Sequence, residues 1–113
     1  MTDFELNKAI AALVYPYRTL GFPNIETGEI YVGSASVDYC NNWSDLMPLV
    51  VEHRVEWREL PPSIWWHAFH ARSGYEGKNE NPQRALAECL YKVLKDKDEV
   101  RQLKHLVNHN QRG

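Results

Sequence analysis

Asn81-Pro82 stands immediately ahead of a run in which Ala85, Leu86, Cys89, Leu90, Val93 and Leu94 recur three or four residues apart. That spacing lays all six apolar side chains along one side of an α-helix. Asparagine accepts from the unpaired N–H groups at a helix start, and proline fits the first helical position, where no N–H is needed. A helix beginning at residue 82 therefore presents a continuous apolar stripe that a second layer has to bury. In a chain of 113 residues this implies a layered fold around one core.

The other elements read less sharply. Thr2 and Glu5 have the spacing of a capping box, and Phe4, Leu6, Ala9, Ile10, Leu13 and Val14 follow at helical spacing, so residues 3–14 are expected to form a helix. Pro16 limits its extension. Residues 16–28 are rich in proline and glycine and read as loop, with a short strand near Glu29–Val32 and a few extended residues over Val37–Cys40. "SDLMPLVVEHR" has an amphipathic helical pattern. Pro48 is harmless in a first turn, so the expected helix covers about 45–53 with Asp45 as its N-cap. A start at Asn42 would put Pro48 inside the helix.

"VEWREL" alternates Val55, Trp57 and Glu59 against Glu56, Arg58 and Leu60, the pattern of a half-buried strand. After "PPS", "SIWWHAFHAR" reads as a second strand paired with it in a hairpin. "SGYEGKNEN" reads as loop. Beyond "KDKD", Val100, Leu103, Leu106 and Val107 make another helical stripe, and Leu86, Val93, Val100 and Val107 lie seven apart. One long helix fits this spacing, but Asp98 is also a good cap, and a break near Lys97 is expected. The expected class is α+β: a small, largely antiparallel sheet with helices packed on it, on both faces, plus a C-terminal helix. Residues 1–97 form the domain, and 98–113 a helical extension packed on it or used in self-association.

The net charge of −2 disfavours non-specific nucleic-acid binding, which needs concentrated lysine and arginine. From Lys92 onward the balance is basic, six Lys and Arg against three acids; a solvated helix face explains this as well as an acidic partner does. No apolar run approaches the roughly 20 residues that span a bilayer. The first helical stretch lacks the basic leader of a signal peptide, so a cytoplasmic protein is expected. Cys40 and Cys89 are too few and too far apart for a disulfide framework.

The densest chemistry lies in "DYCNNWSD", residues 38–45. A nucleophilic cysteine needs a base or a helix N-terminus to hold it as thiolate. Cys40 precedes a helix start, and His53, His67 and His70 are available, but no cysteine-hydrolase signature surrounds it. Asn41, Asn42, Ser44 and Asp45 are all good helix-start residues. His67 and His70 have the look of a metal pair, yet residues three apart on a strand point to opposite faces. No phosphate loop, metal motif or nucleophile elbow is present, and no cofactor is expected.

In order, "ELNKAIAALV", "DYCNNWSDLMPLVVEH", "WWHAFHA" and "NPQRALAECLYKVL" resemble the small phage and prophage proteins of the NinX-like, αβα-sandwich type. That family has a Tyr-Ser-x-Asp-Trp start to its second helix, a Trp-x-Ala strand and a last helix beginning Pro-x-x-Ala. Tyr39, Trp43, Trp66, Ala68, Pro82, Ala85 and Leu86 fall on those positions, whereas Cys40 stands where serine is usual and Asn42 where aspartate is usual. The resemblance spans about residues 5–95. It implies helices on both faces of an antiparallel sheet and a phage or prophage accessory gene acting in the host cytoplasm, and it brings no settled activity.

The expected function is a non-enzymatic module that binds a host or phage protein, with a homodimer through the C-terminal helix as a further expectation. The alternative is a small-ligand binder that sequesters a nucleotide-like molecule in an aromatic cleft. A cysteine hydrolase ranks third. The candidate binding residues are Tyr39, Asn41, Asn42, Trp43, Trp66 and His70.

Overall fold

The computed structural model describes residues 1–23, 25–61 and 64–112. Its elements are α1 (Asp3–Val14), β1 (Leu20–Gly21), β2 (Ile30–Val32), β3 (Ala35–Val37), α2 (Trp43–Glu52), β4 (Glu56–Glu59), β5 (Trp66–Phe69), β6 (Glu76–Asn79) and α3 (Pro82–Arg112). The fold is α+β, and every strand pairing is antiparallel. The strands divide into two small sheets, ordered β1-β2-β3 and β4-β5-β6, in place of the single sheet expected.

α3 organises the molecule. Its stripe of Ala85, Leu86, Cys89, Leu90, Val93 and Leu94 is buried as the spacing requires. On one side α3 lies across β5 and β6, and on the other it meets α1 and α2. The N-cap is Asn81, whose Oδ1 accepts from the N–H groups of Gln83 (2.9 Å) and Arg84 (3.3 Å). The break expected near Lys97 is absent, and the helix runs on to Arg112. Asp98 does not cap a new helix; its carboxylate accepts instead from the side chains of Arg101 and Gln102, one turn further on.

The second sheet shows why α3 can lie so close. In register across its three strands are Trp57, Ala68 and Gly77. A Cβ on Gly77 would stand 2.2 Å from the carbonyl oxygen of Ala85, so only glycine lets the helix backbone rest on β6. β6 falls in the stretch expected to be loop. Its buried position is a glycine, which adds nothing to an apolar alternation. β4 also departs from expectation: all four of its residues are exposed, because it is the edge strand and α3 rests mainly on β5 and β6. The opposite face of this sheet carries the row Arg58, His67 and Lys78 and is polar, so helices do not cover both of its faces among the described residues.

α2 begins earlier than expected. Asn42 is the N-cap, its side chain accepting from the Ser44 N–H at 3.0 Å. Asp45 is drawn elsewhere: its Oδ2 accepts from the N–H of Asp38 at 3.0 Å. Pro48 therefore sits inside the helix. The bond it cannot make would have run to the Ser44 carbonyl, and Ser44 and Pro48 are both exposed, so that face is open to water.

At its other end α2 closes with a Schellman motif. The N–H of Val55 bonds the Val50 carbonyl (3.0 Å) and that of Arg54 bonds the Val51 carbonyl (3.3 Å). The motif puts Arg54 at φ 56°, the left-handed region where glycine is the usual residue.

Candidate binding surface

The structure separates the sequence-predicted site residues. Tyr39 is a core side chain, and its carbonyl accepts from Gln83 Nε2 at 2.9 Å. Its hydroxyl has no hydrogen-bond partner among the described residues. Burial above all, then the neighbouring Tyr15 and Asp45, pushes its ionisation well above the usual phenol range. Asn41 is exposed, but its amide is bonded to the carboxylates of Asp3 and Asp38, and Asn42 caps α2. These three residues hold the fold together.

Cys40 is 2 % exposed, and its Sγ reaches no more than the Asp3 carbonyl at 3.9 Å. Burial first, then Asp3, pushes the thiol up to about 12, while Arg84 pulls the other way. The charged groups acting on it are Asp3, Arg84, Asp38 and Glu88, with no imidazole among them. A thiol in this state stays protonated at neutral pH and is a poor nucleophile. The pair of histidines also parts: His67 Nε2 is 3.4 Å from Glu76, while His70 turns to Ser73. Among the described residues no group of three or more His, Cys, Asp or Glu is arranged to hold a metal ion.

Trp43 and Trp66 meet in a shallow apolar cleft. Trp43 sits in the first turn of α2 and packs edge-to-face on Trp57 of β4, with centroids 5.4 Å apart. Met47, Trp66 and Pro82 complete a cleft of about 320 Å³. Trp43 and Trp57 are each 40 % exposed. One helix turn places Met47 beside Trp43, and β4 returns beneath α2 because the Schellman turn reverses the chain. Trp57 escaped the reading of the sequence because strand alternation placed it with the half-buried set.

A wider cleft of about 1150 Å³ adjoins the first and shares Met47 and Trp57 with it. It lies between the end of α2, β4, the β5–β6 turn and α3. His70 opens onto it together with His53, Arg54, Arg72 and Lys97, and Glu52 and Glu56 supply the only acids of its lining among the described residues. Lys97 Nζ is 2.8 Å from His53 Nδ1, which as the acceptor leaves the ring proton on Nε2. His70 Nδ1 accepts from the Ser73 N–H (3.2 Å) and lies 2.6 Å from Ser73 Oγ, so its proton too is on Nε2. Burial first, then Lys97 and His70, holds His53 below the usual imidazole range, with Glu52 opposing. His53, Arg54, Arg72 and Lys97 come from three separate stretches of sequence, none of which is basic enough to mark a site alone.

No helix of the described residues is long and apolar enough to cross a membrane. The chain matches no protein-family model, no curated protein and no solved structure.

The buried thiols set the first part of the protein's response to alkali, before the buried Tyr39 phenol adds to it above about pH 10. Burial raises Cys40 from 9.0 to about 12 and Cys89 from 9.0 to about 11. Below pH 9 both thiols are protonated whether the chain is folded or not; above it, the unfolded chain releases protons that the folded chain keeps. Stability is thus full below pH 9 and falls above it by about 1.4 kcal/mol per pH unit for each thiol. Urea melts between about pH 9 and about pH 10 should show that slope, and Cys40→Ala with Cys89→Ala should flatten it there; an unchanged slope in the double variant would contradict the assignment.

Proposed function

We propose that this protein is a non-enzymatic interaction module, an accessory protein of the kind phage and prophage genomes carry, that grips a host or phage protein. The carrying observation is the Trp43–Trp57 surface, two tryptophans in edge contact and 40 % exposed, beside Met47 and Trp66. Tryptophan and methionine are enriched at interface centres, and a few such anchors dominate binding energy. The charged rim of the adjoining cleft supplies the polar border that surrounds such anchors. The phage origin rests on the order of the four sequence motifs.

Trp43→Ala with Trp57→Ala is expected to weaken partner capture by at least about 2 kcal/mol, roughly thirtyfold. The check is affinity capture from host lysate with wild type and variant side by side, after circular dichroism shows both folded. Recovery of the same proteins by both would sink the proposal.

Self-association through the C-terminal helix is a separate proposal. The core claims Leu86 and Val93 from the heptad series, and Asp96 accepts from the Tyr75 hydroxyl at 3.0 Å. Val100 and Leu103 remain exposed to support a contact; the side chains of Leu106 and Val107 lie outside the described residues. So short a seam makes a weak dimer. Light scattering should show a dimer only at high concentration, lost on truncation after residue 97; a monomer throughout rules the contact out.

A further inference from the structure

We infer that the wide cleft at the end of α2 is a binding site for a phosphate-class dianion carried on a small molecule. It adjoins the tryptophan surface and shares Met47 and Trp57 with it, but its test does not depend on a protein partner. The donors have the chemistry a phosphate requires: the His70 imidazole with its proton on Nε2, and the positive side chains of Arg54, Arg72 and Lys97, while His53 Nε2 faces Glu52 at 3.9 Å. Arginine and lysine at such a site bind oxyanions through charge-assisted bonds. The chain as a whole is net negative, so this local excess of cations over Glu52 and Glu56 does not follow from overall composition.

Two features of the backbone sharpen the assignment. The end of a helix ordinarily repels anions, because its last carbonyls are bare. Here the Val50 and Val51 carbonyls are bonded by Val55 and Arg54, which reduces the number of bare carbonyls at the cleft. The same turn keeps an arginine at φ 56°, where glycine would sit without strain. The fold thus holds a guanidinium at the lip of the cleft against local backbone preference.

The size of the cleft indicates what carries the phosphate. A volume of about 1150 Å³ far exceeds an inorganic ion, and the cleft continues onto Met47 and Trp57. A ligand anchored by its phosphate has an indole within reach for a flat ring, and a nucleoside monophosphate is the simplest molecule with both parts.

The test is calorimetric titration of the full chain with inorganic phosphate, ribose 5-phosphate and AMP at constant ionic strength, with chloride as control. All three phosphates should bind and chloride should not. Tighter binding of AMP than of ribose 5-phosphate identifies a nucleotide; equal binding identifies a site that reads the phosphate alone; both support the inference. Arg54→Gly with Arg72→Gln should weaken binding about tenfold. Arg54→Gly alone should melt at the same or a higher temperature, because glycine relieves the left-handed position, so lost binding cannot be put down to unfolding.

No phosphate binding, binding matched by chloride, or binding indifferent to both arginine substitutions would each overturn the inference.

Discussion

The amide of Asn7 holds three parts of this chain in place. It lies on α1 with no exposure to solvent. Its Nδ2 donates to the Gly28 carbonyl and to Asp38 Oδ1, both at 2.8 Å, and its Oδ1 accepts from the Cys40 N–H at 3.1 Å. A buried amide is costly unless its donors and acceptor find partners, and here each finds one. Those bonds fix the loop before β2 and the turn before α2 against the first helix. Gly28 makes the approach possible. It sits at φ 79°, and a Cβ there would lie 3.3 Å from Asn7 Nδ2.

The network continues into α3 and so reaches the binding surface. Asp38 gathers Asn7, the Asn41 side chain and the Asn41 N–H on its carboxylate, and its own N–H goes to Asp45 on α2. Gln83 holds the Tyr39 carbonyl, and Arg84 is bonded to Asp3, to the Met1 carbonyl and to Glu88. The first turn of α3 is therefore tied to the start of α1 and to the lead-in of α2. With both ends of that lead-in fixed, Trp43 emerges at a set angle against Trp57, and α2 delivers His53 and Arg54 to the wide cleft. The polar segment 38–45 earns its density as the joint on which the exposed tryptophans are mounted.

What could be read from the sequence follows from which forces leave a periodic trace. The stripe of α3, the Thr2–Glu5 cap of α1 and the β4–β5 hairpin were all legible, because burial and capping recur at fixed spacing. β6 was not, since its buried position is Gly77 and its packing partner is a helix backbone. The start of α2 was misplaced because a proline rule, sound for a helix alone, was outweighed once Asp38 recruited Asp45. Asn7 leaves no periodic trace, because its partners lie 21 to 33 residues away. Of the candidate site, Trp43, Trp66 and His70 line the two clefts, while Trp57, Met47 and the cluster of His53, Arg54, Arg72 and Lys97 exist only once the chain is folded.

The measurement that tests this account most directly is the urea stability of Asn7→Leu. Leucine nearly matches the volume but strands the Gly28 carbonyl and the Cys40 N–H in the interior. At about 1–3 kcal/mol for each stranded group, a loss of about 3 kcal/mol or more is expected, with the slope of the denaturation curve unchanged. A loss below about 1 kcal/mol would contradict it, because an apolar side chain would then serve at this position as well as the amide, and the joint would have to be held by packing.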